Sequence, residues 1–102
     1  MTETQFKEIC DWQDKTFPDA TALSKLKHLQ MEIEKELIPE LEDNFEPPIE
    51  EYADCIFLIF GSARKCGYNY WQIIQSIEDK FIINKEREWN KPDKDGVYLH
   101  KK

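Results

Sequence analysis

The sequence predicts an all-α fold, a four-to-five-helix bundle, and three observations predict it. Glycine is scarce, at three of 102 residues, which disfavours a β fold built on many tight turns. Leu26, Leu29, Ile33, Leu37 and Leu41 keep the 3.6-residue rhythm of a helix with one apolar face. No internal repeat or low-complexity tract interrupts the chain.

Each element has its own local reason. A short first helix over 4–15 places Phe6, Ile9 and Trp12 on one side and is broken by Phe17-Pro18-Asp19. A long second helix starts near Thr21 and ends near Asp43-Asn44. Inside it, Pro39 has no amide hydrogen and crowds the carbonyl of Lys35. A bend or a one-residue π-bulge is therefore expected between Lys35 and Pro39, and the plain alternative is a simple proline kink on a solvated acidic helix. Pro47 and Pro48 suit the opening turn of a third helix, which carries the run Cys55 to Phe60 and stops at Gly67. Being apolar all round, it is expected to be the most buried element. Asn69, with Gln72 three residues on, caps a fourth helix whose inward stripe is Ile74, Ile77 and Phe81 and which fades near Trp89. Residues 90–102, with Pro92 and Asp95-Gly96, read as an extended tail.

Size and charge exclude several functions. A chain of 102 residues with 40% hydrophobic content has room for one domain with a modest core. A net charge of −7 argues against nucleic acid as partner, because a polyanion is repelled over most of the surface. Any anionic substrate has to be met through metal or local cations. Cys10, Cys55 and Cys66 are odd in number and lack a CxxC, so neither a disulfide framework nor a zinc site is indicated and a reducing cytoplasm is the expected setting. The first seven residues are polar and resemble no secretory signal, and the longest apolar run is too short to span a bilayer, so no membrane association is expected.

The chemistry lies in two acidic clusters and a cationic helix face. Glu51 and Asp54 are three apart, so on a helix both carboxylates leave the same face. A neighbouring helix offering Glu32 with Glu34 or Glu36 completes an oxygen-rich cage of the kind Mg²⁺ prefers, with Mn²⁺ as substitute. Such an ion in turn suits a polyphosphate. Lys80, Asn84 and Arg87 recur at i, i+4 and i+7 and present two cations and an amide on one face, with Arg87 suited to bidentate phosphate contact. Trp12, Phe17, His28 and Trp89 are the candidates to stack on or edge a base.

These residues, taken together, resemble the all-α nucleoside triphosphate pyrophosphohydrolases of the MazG-like superfamily, whose signature is Glu-x-x-Glu, a spacer, then Glu-x-x-Asp. Glu51-Tyr52-Ala53-Asp54 matches the second half. Trp12-Gln13-Asp14-Lys15-Thr16-Phe17-Pro18-Asp19-Ala20-Thr21, Ser24-Lys25-Leu26-Lys27-His28-Leu29, and the terminal Lys80, Asn84, Arg87, Trp89 and Pro92-Asp93-Lys94-Asp95-Gly96 resemble its small phage and bacterial dATP/dGTP diphosphohydrolase branch. The resemblance implies hydrolysis of a (d)NTP to the monophosphate and pyrophosphate, with Glu32, Glu36, Glu51 and Asp54 as Mg²⁺ ligands. It gives Glu32 or Glu34 as proton acceptor, Lys80, Asn84, Arg87, His28, Trp12 and Trp89 as substrate contacts, and a homodimer or homotetramer as the assembly. One position departs from the signature: counted from Glu32, the fourth residue is Lys35, and Glu36-Leu37 looks like the family's Glu-Leu displaced by one, a shift that a bulge before Pro39 absorbs.

Two other functions compete. One keeps the fold but makes the chain a catalytically weak nucleotide-binding or regulatory protein, its metal site damaged by Lys35. The other is a helical interaction module whose apolar third helix merely dimerises.

Overall fold

In a computed structural model describing residues 1–102, helices and short turns account for the chain up to Glu86: α1 (Glu3–Thr16), α2 (Ala22–Glu32), a π turn (Ile33–Leu37), α3 (Ile38–Glu42), α4 (Ile49–Lys65) and α5 (Tyr70–Glu86). Since α2, the π turn and α3 follow without a break, they are one rod, and the chain has four helices. It divides into two compact units, Met1–Trp71 and Gln72–Lys102.

In the first unit the ends of the helices are chemically specified. The Thr2 hydroxyl accepts from the amide of Gln5 at the start of α1. At the start of α2, Thr21 and Ser24 cap each other: Thr21 Oγ1 accepts from the Ser24 amide at 3.0 Å, and Ser24 Oγ from the Thr21 amide at 2.8 Å. Pro47 and Pro48 lie just ahead of α4, with Pro48 at its cap, and Gly67 ends it at φ +95°, a left-handed conformation that glycine adopts without strain.

α4 packs chiefly on α2 and also on α1. Phe6 and Cys10 of α1 are the two fully buried side chains. Phe6 meets Phe60 edge-on at 5.6 Å and Tyr70 at 5.7 Å, and the Tyr70 hydroxyl donates to the Met1 carbonyl at 2.6 Å. Arg64, on α4, fastens α1 through Asp11 and Asp14, and Lys65 adds a second cation to Asp14. Burial alone would raise the Asp14 carboxyl, but the hydrogen bonds from Arg64 and Lys65 outweigh it and hold it below the usual range.

Three sequence expectations are corrected here. α4 is no more deeply buried than α1: Cys55, Gly61 and Ser62 are enclosed, whereas Ile56 and Ile59 are each about half exposed. Of the stripe expected on α5, Ile74 is half-buried while Ile77 and Phe81 are exposed. The exposure on α4 follows from the size of the first unit, which has too few helices to enclose a helix that is apolar on every side. Residues 90–102, lastly, are folded back rather than extended. Asn90 N–H donates to the Leu99 carbonyl at 2.8 Å and Lys101 N–H to the Glu88 carbonyl at 2.8 Å, with a single antiparallel bridge between Trp89 and His100. The reversal is built by Asp93, whose carboxylate accepts from the amides of Asp95 and Val97, and by Gly96 at φ +81°.

Candidate active site

The π turn is where the site begins. The amide of Ile38 bonds to the carbonyl of Ile33, five residues back, which leaves room for the Pro39 ring that a regular helix would drive into Lys35. The expected bulge is therefore present, spread over residues 33–37. Its effect on side chains follows from helix geometry. In a regular helix each four-residue step overshoots one revolution by about 40°, so Glu40 would drift about 80° from Glu32. A turn that holds more residues cancels that drift, and Glu32, Glu36 and Glu40 come to share a face while Lys35 is left exposed.

Across from that face is the first turn of α4 with Glu51 and Asp54, and the like charges act on one another. The carboxyl of Glu51 titrates above the usual glutamate range because of burial first, then the adjoining Glu40 carboxyl and the charges of Glu36 and Glu32. Glu36 is raised chiefly by the charge of Glu32, then by burial, with Glu40 and Asp54 contributing. One carboxyl oxygen each of Glu40 and Glu51 is out of solvent and has no hydrogen-bond partner. Natural proteins rarely leave such an atom unsatisfied, and a carboxylate donor set with spare, desolvated oxygens fits a hard divalent cation. As the side chains stand, no three acidic, imidazole or thiol groups are gathered closely enough to grip an ion.

Directly beside the carboxylates is a cavity of about 370 Å³, a size common for small-ligand sites. Trp12, Phe17 and Phe57 supply apolar wall, and Glu32 and Asp54 belong to its lining as well as to the acidic cluster. Trp12 and Phe17 meet edge-to-face at 5.6 Å, which fixes the indole plane. His28, also on the wall, stands 3.2 Å from Glu32 Oε1 and holds that carboxylate in place.

Gln13 and Lys25, also in the cavity lining, form a polar knot. Gln13 Nε2 donates to the Phe57 carbonyl at 3.0 Å, and its Oε1 accepts from Lys25 Nζ at 2.8 Å. Only 4% of each residue is exposed. Gly61 makes room for it, since a Cβ there would stand 2.4 Å from Gln13 Oε1. Ser62 next along donates to the Ala22 carbonyl at 2.9 Å and ties α4 to the start of α2.

The structure therefore brings together Glu32, Glu36, Glu51, Asp54, His28 and Trp12. Glu34 is not among them: it is exposed on the outer side of the π turn, where Gln30 Nε2 donates to it at 3.1 Å, because a two-residue step from Glu32 points the other way round a helix. Lys80, Asn84, Arg87 and Trp89 belong to the second unit, where Arg87 donates to the Asn84 side chain at 3.2 Å and the Trp89 indole to the Asn84 carbonyl at 3.2 Å. Sequence reasoning missed Glu40, Gln13 and Lys25. For Glu40 a signal existed, the i+8 spacing from Glu32 once a bulge is granted; for the other two none was local.

The fold that carries this helical pair has a solved counterpart. A cyanophage S-2L MazG-like pyrophosphohydrolase, solved bound to dGDP and three catalytic Mn²⁺ ions per active site, shares it with a TM-score of 0.74 at 25% identity, over 100% of this chain and 99% of its own. A dATP/dGTP diphosphohydrolase of Salmonella phage PMBT28 is 34% identical over 97 residues, or 92% of this chain, which spans 29% of that relative's length. The dATP/dGTP pyrophosphohydrolase family matches residues 5–102, and the chain belongs to that family.

Proposed function

We propose that this chain hydrolyses the deoxypurine triphosphates dATP and dGTP to the monophosphate and pyrophosphate, using Mg²⁺, with Mn²⁺ as substitute. The observation that carries this reading is that Glu32 and Asp54 belong at once to the strained acidic cluster and to the wall of the aromatic cavity. A base stacked at Trp12 and Phe17 has its phosphates directed to the carboxylates. Glu32, Glu36, Glu51 and Asp54, joined by Glu40, would hold the metal. A divalent ion bound there supplies neutralisation of the carboxylates, a more acidic water and charge stabilisation on phosphate oxygens. His28 positions Glu32, and Glu32 is the carboxylate assigned the water proton. Water oxygen bonds to phosphorus as the phosphoanhydride breaks, and pyrophosphate leaves. Lys80, Asn84 and Arg87 keep the polyphosphate role that family likeness gives them. Against the weakened-site alternative speaks the position of Lys35, exposed on the π turn.

The likeness to these families and the exposed Ile56, Ile59, Ile77 and Phe81 support a homodimer or homotetramer, which light scattering tests. No helix is long and apolar enough to cross a membrane, and the three cysteines are free, in keeping with a reducing cytoplasm. The decisive assay is pyrophosphate release across the common NTPs and dNTPs with and without Mg²⁺. Release confined to the metal-containing dATP and dGTP reactions is expected, and silence with both overturns the proposal.

A further inference from the structure

Lys25 is a buried ammonium in the cavity wall that no carboxylate neutralises. Its one hydrogen-bond partner is the Gln13 amide oxygen, although an ammonium carries three donors. The orientation of that amide is not free. A backbone carbonyl can only accept and an ammonium can only donate, so with Phe57 on one side and Lys25 on the other Gln13 has to place its nitrogen toward Phe57 and its oxygen toward Lys25. The absent Cβ of Gly61 leaves the space in which the Gln13 amide and the Lys25 stem fit. The knot consequently offers the cavity chiefly N–H donors, the two that Lys25 keeps beyond its bond to Gln13. Burying a charge with donors to spare is costly unless a ligand supplies the missing acceptors.

Resting on the hydrolase reading for a purine in this cavity, we propose that Lys25 is the specificity-determining residue and that it selects 6-keto purines by donating to O6 and N7. Guanine presents acceptors at both positions, whereas adenine presents N7 and a 6-amino donor, which would face the ammonium donor to donor. Lys25 is therefore the guanine reader, and Gln13 positions it.

The test compares dGTP, dITP and dATP on the whole chain with Mg²⁺. Hypoxanthine keeps O6 and N7 but lacks the 2-amino group, so dITP isolates the contact in question. We expect dGTP and dITP to be hydrolysed with similar kcat/KM and dATP roughly tenfold or more worse, the scale of one good base-edge contact. Lys25→Met brings the three to the same level. dITP grouping with dATP, or an unchanged ratio in Lys25→Met, overturns the proposal. The wild-type comparison stands even where the variant does not fold. Melting temperature with dGMP, dIMP or dAMP supplies the readout independent of catalysis: stabilisation by dGMP and dIMP over dAMP without any pyrophosphate release would sink the hydrolase reading and keep the base reader, and equal hydrolysis of all three triphosphates would do the reverse.

Discussion

Two polar clusters lie along the packed helices α1, α2 and α4, and they differ in the charges they bring together. Around Gln13 the amide is bonded at both ends, Ser62 ties the helices together, and Gly61 supplies the space. Around Glu51 the groups all carry one sign, two carboxyl oxygens lack partners, and titration is pushed upward by burial and by neighbours. Marginal folds do not retain such repulsion for stability's sake. The difference teaches that the first cluster holds the helices in place, while the second is under a stress that a cation would relieve.

The sharpest way to break that comparison is Glu51→Gln. Kinetic assay is expected to show kcat/KM falling by about a hundredfold or more, the scale for losing one charge-stabilising group. Calorimetry on the metal-free protein is expected to show its melting temperature rising, because a repelled charge is gone. A drop in both would assign Glu51 to the scaffold. Glu34→Gln, outside the cluster, should leave both measurements unchanged.

Next in size is Trp12→Ala, with KM for dATP and dGTP rising about tenfold, as expected for loss of base stacking. A fall in kcat alone would remove the indole from the base.

Gly61→Ala probes the Gln13 cluster. Alanine gains about 1 kcal/mol of helix propensity over glycine. Overpacking against an amide anchored at both ends costs about 1–3 kcal/mol, so net destabilisation of about 1 kcal/mol is expected, seen as a melting point about 5 °C lower. A more stable variant would show that Gln13 is free to move.

The smallest effect is in pH. Glu36 and Glu51 titrate higher in the folded chain than their ordinary value of 4.5, so the folded state takes up protons more readily than the unfolded one. Stability of the metal-free protein therefore rises as pH falls from neutral toward 4.5 and is lost as pH climbs through the raised values. Asp14, held below its ordinary 3.8, contributes throughout that window and gives way only at lower pH. Mg²⁺ should stabilise the fold more at neutral pH than near 4.5, and equal shifts at both would separate the acidic cluster from metal binding.

How far all this was legible depended on how local its causes are. The four helices, the glycine stop at Gly67 and the π turn before Pro39 could be read because glycine stops and a missing proline amide act within a few residues. The pairing of Glu51 with Asp54 was legible for the same reason, since helical spacing alone puts both on one face. Glu40 escaped because its place depends on how much twist the π turn removes. Lys25 escaped because a lysine between Ser24 and Leu26 reads as surface, and only Gln13, twelve residues earlier, and Phe57, on another helix, convert it into a buried donor. What the sequence determined by itself was the set of helices and the carboxyl groups they carry. Which carboxylates are pressed together, and which cation is left facing a cavity, was decided by the packing of α4 on α2 and α1, because desolvation and charge repulsion depend on distances that only the folded chain defines.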